Sequence, residues 1–135
     1  MSFVYNDGGR QKAGYKGQPG DCACRAISIA TGISYQHVYD AINEQAKAER
    51  RKNRSSAREG VYHSTANRVL KSFGFEWSPT MLIGTGCRVH LDEKELPKGR
   101  LVVSVSKHYT AMIDGVIHDT YNPQRDGSRC VYGYW

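Results

Sequence analysis

The chain has 135 residues, a net charge of +6 and 39% hydrophobic residues, enough for one domain spanning 1–135 to bury a modest core without staples. No apolar run approaches the ~18 residues of a membrane-spanning helix, and the start MSFVYNDGGRQK lacks the basic-then-apolar order of a secretion signal. The expectation is a cytoplasmic protein with no membrane partner. In a reducing compartment Cys22, Cys24, Cys87 and Cys130 then read as thiols, ligands or catalytic groups rather than disulfides.

In chain order, residues 6–20, NDGGRQKAGYKGQPG, read as an irregular loop. Asp21 is placed to N-cap a helix over 22–31, where Ala23, Ala26, Ile27 and Ala30 recur at i, i+3, i+4 and i+7 and Gly32 closes the C-terminus. Ser34 opens a second helix to about residue 50, with Ile33 and Val38 in hydrophobic-staple positions. The stretch 47–59 carries Lys47, Arg50, Arg51, Lys52, Arg54 and Arg58 against two Glu. It reads as a solvated helix end running into a mobile loop; a contact with an acidic partner at 47–58 is the functional alternative. Without an interleaved aromatic platform, nucleic acid is not an expected partner. A third helix is predicted within 62–73, ending at Gly74. Strand patterns follow: FEWSP (75–79), RLVVSVS (100–106), HYTAMI and VIHDTY either side of Asp114-Gly115, and CVYGYW (130–135). Helices first and strands after them make an α+β domain, with the first two helices packed on an antiparallel sheet of about four to five strands.

Asp114-Gly115 is a strong hairpin signal, and it sets a register. If these are the two loop residues, Ile113 pairs with Val116, Thr110 faces Asp119, and His108 faces Tyr121. Strand side chains alternate, so these four polar or aromatic residues share one face, and His108 and Asp119 become diagonal neighbours, roughly 7–8 Å apart at the backbone. His118 and Asn122 fall on the other face. An imidazole held by a carboxylate is the base and orienter of a nucleophilic triad; the plain alternative is a structural pair. A thiol is the economical nucleophile. Cys22 would be the first helical residue, where free N–H groups and the helix dipole favour a thiolate, although Asp21 opposes it as a like charge. Cys24 lies about 200° further round the helix, so the two cysteines cannot both face one histidine.

The order of these residues resembles the papain-like cysteine peptidases: a Cys opening the first helix, a His on a strand, an Asp or Asn on the next. The segment D-C-A-C-R-A-I followed by H-Y-T-A-M-I-D-G-V-I-H-D is similar to the bacterial branch that includes peptidases fused to bacteriocin transporters, except that Ala23 stands where that branch has glycine. The span from Asn6 to Trp135 is also similar to small proteins of bacteria and their phages, which implies no reaction. The peptidase resemblance implies Cys22 as nucleophile, His108 as general base and acid, and Asp119 as orienter, with no cofactor or metal. It implies a thiol-dependent hydrolase, a peptidase or an isopeptidase/amidase, acting on a protein or peptide substrate. An oxyanion-donating glutamine is expected upstream of the nucleophile. Gln18 is the nearest, four residues before Cys22 and six before Cys24; six is the family spacing, so Cys24 stays open as the nucleophile.

Two other readings compete. Four cysteines, or three with His90, would supply zinc, but the single pair is C-x-C rather than the C-x₂₋₄-C of structural sites, and Cys87 and Cys130 read as small apolar residues. Alternatively a catalytically silent papain-like scaffold would serve as a protein-binding module, with a host protein as partner if the chain is phage-derived. Tyr15, Tyr35, Tyr62 and Trp77 read as core or rim aromatics, and Arg25 as a surface residue paired with a carboxylate.

Overall fold

Apolar residues at helical spacing in the first half and at alternating positions in the second converge on the two faces of one sheet. The structure, a computed structural model, describes residues 2–16 and 20–135. In chain order it contains β1 (Phe3–Tyr5), α1 (Cys22–Thr31), α2 (Tyr35–Ala48), α3 (His63–Ser72), β2 (Ser78–Pro79), β3 (Arg100–Val105), β4 (His108–Ile113), β5 (Val116–Asp119) and β6 (Val131–Tyr134). This is an α+β architecture. The sheet has six strands in the order β1-β5-β4-β3-β6-β2, and it is mixed because β1 runs parallel to β5. The expectation of a four- to five-stranded antiparallel sheet is corrected on both counts. Phe-Val-Tyr is too short to show an alternation of its own, and it becomes a strand only because β5 offers it an edge.

The helices end where their residues demand. Gly32 takes φ 76° and donates its N–H to Ser28 O, while the Ser34 side chain accepts from His37 N–H. Val38 is fully buried and Ile33 packs on the same cluster, as a staple requires. Ile27, Ile42, Leu70, Val102, Ala111 and Trp135 form the core between helices and sheet. Leu101, Val103, Val105, Met112 and Ile117 point to the other face, where Leu91 and Leu96 cover them. Strands buried on both faces lose the polar half of the alternation, which is why 100–105 is a nearly continuous apolar run.

Asp114 and Gly115 form the β4–β5 turn with φ 48° and 82°, the paired left-handed conformation of a tight hairpin. The expected register holds, with Ile113 opposite Val116 and Ala111 opposite His118. On the far side of β3 the pairing with β6 shifts between Ser104 and Val105. The bulge leaves Tyr132 without a partner on β3, and its carbonyl accepts from the N–H groups of Thr80 and Met81 instead.

Ile27 has no exposed surface, whereas Ile83 is fully exposed at a loop tip. Ile27→Ala should therefore lower stability by about 2–4 kcal/mol in urea unfolding, and Ile83→Ala should leave the midpoint where it is.

Candidate active site

The start of α1 is organised by charge. Asp21 has no exposed surface. Its Oδ1 accepts from Arg10 Nη1 at 3.2 Å and from Arg25 Nη1, and its Oδ2 accepts from the Tyr35 hydroxyl at 2.6 Å. Arg25, one turn further along α1, also lies 3.6 Å from Asp119 Oδ1 through Nη2. Two expectations are corrected here. The Asp21 side chain does not cap the helix, because a buried carboxylate is better compensated by two guanidinium groups and a phenol than by one backbone N–H. Arg25 is buried, not a surface residue; its i, i+4 spacing from Asp21 was visible in the sequence, but the enclosure of that helix end was not.

Asp119 and His108 meet as the hairpin register requires. His108 Nε2 and Asp119 Oδ2 are 2.7 Å apart, with both residues buried, and Asp119 Oδ1 accepts from the Thr120 N–H at 2.7 Å. His118 lies on the opposite face, beside Asn6. Burial works against ionised Asp119, but the bond to His108 and its charge outweigh burial and hold the carboxyl below its usual range. Burial likewise works against charged His108, and hydrogen bonds to Asp119 and Cys22 overcome it, raising its pKa to about 9.

Cys22 completes the group. It is half-buried and unpaired with any other cysteine. Burial raises its pKa, but a hydrogen bond with His108, the imidazolium charge, the Tyr109 N–H and Arg25 together bring it below the ordinary thiol value. Since Asp119 occupies Nε2, Nδ1 is the ring nitrogen left for the thiol. The first intrahelical bond of α1 runs from Arg25 N–H to Asp21 O, so the Cys22 N–H has no partner within the helix. Cys24 is fully buried, its thiol 3.7 Å from Tyr35 O; burial and the Asp21 charge push its pKa far up. Of the two cysteines only Cys22 faces the imidazole. Gln18, the expected oxyanion donor, lies outside the described residues.

Cys22 and His108 sit at the junction of two lobes of a cleft. One, of about 540 Å³, is walled by Val61, Trp77, Val105, Tyr109 and the bulge residue Tyr132. The other, of about 460 Å³, is walled by Tyr5, Arg10, Arg25, Lys107 and Tyr121. Gly20 brings the segment before α1 against residues 56–60: a Cβ there would stand 2.6 Å from Glu59 O, so only glycine permits the approach. Sequence reasoning missed Arg10 and Lys107 and placed Arg25 at the surface; the enclosure that brings Arg10 and Arg25 to the cleft depends on distant chain segments.

Elsewhere, Cys87 and Cys130 form a disulfide with Cα atoms 5.8 Å apart, correcting their reading as unpaired apolar residues. The isolated bridge between His90 and Cys130 aligns the two segments, a juxtaposition that residue spacing alone does not reveal. The basic stretch is anchored rather than loose: Ser55 and Ala57 are buried, and Arg51 stacks 3.7 Å over the Tyr62 ring. Tyr35 is a core residue, while Tyr62 is exposed. Among the described residues no helix is long and apolar enough to cross a membrane. No family model, curated protein or solved structure matches the chain.

Removing Arg25 takes one of two guanidinium partners from Asp21 and a neighbouring positive charge from Asp119. Arg25→Met is expected to cost about 1–3 kcal/mol near pH 7, read from urea unfolding. A loss under 1 kcal/mol would mean that the bridge carries little.

Folded His108 keeps its proton to about pH 9, against 6.5 for an unperturbed histidine. The stability that this adds is complete below about pH 6.5 and is lost as the pH rises through 9. Between these limits the lowered Cys22 thiol gives the opposite slope, so the comparison is made in a Cys22→Ser background, where the urea midpoint should fall more steeply with pH than in Cys22→Ser/His108→Gln; parallel curves would show that the proton is not held.

Proposed function

We propose that the chain is a thiol-dependent hydrolase of amide-type bonds, peptide or isopeptide, built on a papain-like scaffold. The observation that carries this reading is that Cys22, at the start of α1, and His108 together line both lobes of the cleft, with His108 2.7 Å from the buried Asp119. A structural His–Asp pair needs no thiol on its other nitrogen, and a structural thiol needs no helix N-terminus. The neighbouring cleft offers room for a substrate on both sides of the sulfur.

In the reaction proposed, Cys22 Sγ attacks the carbonyl carbon, forming the S–C bond and moving the carbonyl π pair onto oxygen. The Cys22 N–H, without a partner within the helix, donates to that oxyanion, and Gln18 is the proposed second donor. His108 Nδ1 protonates the leaving nitrogen as the C–N bond breaks, giving a thioester and an amine. His108 then takes a proton from water, whose oxygen attacks the thioester; the S–C bond breaks and a carboxylic acid and the Cys22 thiolate are released. Asp119 does not change its protonation. It fixes the ring orientation and stabilises the imidazolium.

The test is the pH dependence of Cys22 alkylation by iodoacetamide, located by peptide mass spectrometry. An ordinary thiol with pKa ~8.5 is about 1% ionised at pH 6.5, so a thiolate–imidazolium pair should react at least roughly tenfold faster there than a free cysteine, and His108→Ala should remove the advantage. A rate that rises only near pH 8–9 and ignores His108 would sink the hydrolase reading and favour a binding module.

A further inference from the structure

The two lobes differ in charge: Lys107 lines both, Glu59 only the first, and Arg10 and Arg25 only the second. The second lobe is lined by Arg10, Arg25 and Lys107, with no carboxylate side chain among its lining residues. Arg10 and Arg25 are already compensated by Asp21 and Asp119, just beneath the surface. Lys107 is exposed and makes no ion pair among the described residues. The Cys22–His108 pair is neutral overall, so three cations over two carboxylates leave one positive charge at the mouth of the lobe.

The backbone at this position is also unusual. Ser106 and Lys107 form the two-residue turn between paired Val105 and His108, and Lys107 has φ 55°. The left-handed region is costly for a residue with a Cβ, and glycine or asparagine is the usual occupant of such a turn position. The turn therefore retains a long cationic side chain where the fold itself would prefer none. That chain lines both lobes, immediately before His108. Strain kept at a cleft residue points to use of the side chain.

We propose that Lys107 is the carboxylate anchor of the cleft, and that the substrate is a peptide or isopeptide with a carboxylate on one side of the scissile amide and a bulky apolar or aromatic group on the other. The proposal rests on the hydrolase reading of Cys22. An ammonium on a flexible stem acts as a point charge, suited to carboxylates presented at different angles. The apolar half has its counterpart in the lobe of Val61, Trp77, Tyr109 and Tyr132. The carboxylate has two possible sources, a chain terminus or an acidic side chain.

The first probe compares iodoacetate with iodoacetamide at pH 6.5 and low salt. Both place an S–CH₂ bond on Cys22 with loss of iodide, and they differ in the carboxylate. The ratio of the iodoacetate rate to the iodoacetamide rate should be at least roughly fivefold higher in the wild type than in Lys107→Gly, and Lys107→Arg should keep it. Glycine relaxes the turn, so Lys107→Gly should melt at or above the wild-type temperature, which separates lost charge from lost folding. The second probe is protection of Cys22 from iodoacetamide by acetyl-Phe-Gly with a free carboxyl, acetyl-Phe-Asp-amide and the neutral acetyl-Phe-Asn-amide, each also in reversed residue order. Stronger protection by the first marks a terminal carboxylate, and by the second an acidic side chain. Equal protection by all of them, or a ratio unmoved by Lys107→Gly while iodoacetamide still labels Cys22 rapidly, overturns the anchor and leaves the hydrolase reading standing. Slow labelling by both reagents overturns the hydrolase reading itself.

Discussion

Arg25 is the guanidinium that joins two carboxylates held out of water. Asp21 and Asp119 come from opposite ends of the chain, one before α1 and the other closing β5, and both are buried. A buried carboxylate alone would take up a proton or draw in water. Arg25 gives each a countercharge, beside Arg10 at Asp21 and His108 at Asp119, and the same attraction fastens the helix start to the strand end. The position of Cys22 follows from the first of these attachments and the orientation of His108 from the second.

The local electrostatics are cooperative. The imidazole lies between an acid and a thiol, and each neighbour makes its positive charge easier to hold. In return the imidazolium favours both anions. A proton thus resides on nitrogen rather than sulfur without any one group being extreme. Cys24 shows the contrast on the same helix: two positions further on, facing the core and near Asp21, an identical side chain is held as a thiol.

Much of this was legible in the residues. A two-residue turn and a period of two suffice to bring His108 and Asp119 together, because hairpin register is set locally. The helix bounds were legible through Gly32 and Ser34 for the same reason. What escaped had no local signal. The three residues of β1 gain strand character from β5; the bulge at Ser104 depends on β6; and the partnership of Cys87 with Cys130 depends on the path of the intervening chain. Arg25 was assigned to the surface because helical periodicity says which way a residue points, not whether another segment has been laid across it. That segment is 6–16, whose Gly8 lies against the Arg25 backbone and whose Arg10 reaches Asp21.

The placement of β1 has a consequence for the order of folding. Tyr5 pairs with Asp119, and Asn6 donates its N–H to the Asp119 carbonyl, contacts that span almost the whole chain. Closing so long a loop has a large entropic cost that only the finished β4–β5 hairpin offsets, since the hairpin supplies the edge to be joined. The hairpin, by contrast, needs only its own turn. Folding should therefore make the His–Asp half early and seal it late, when the first residues return to the open edge of β5. A refolding chain would hold this charged pair before it gained the cover that keeps the pair dry.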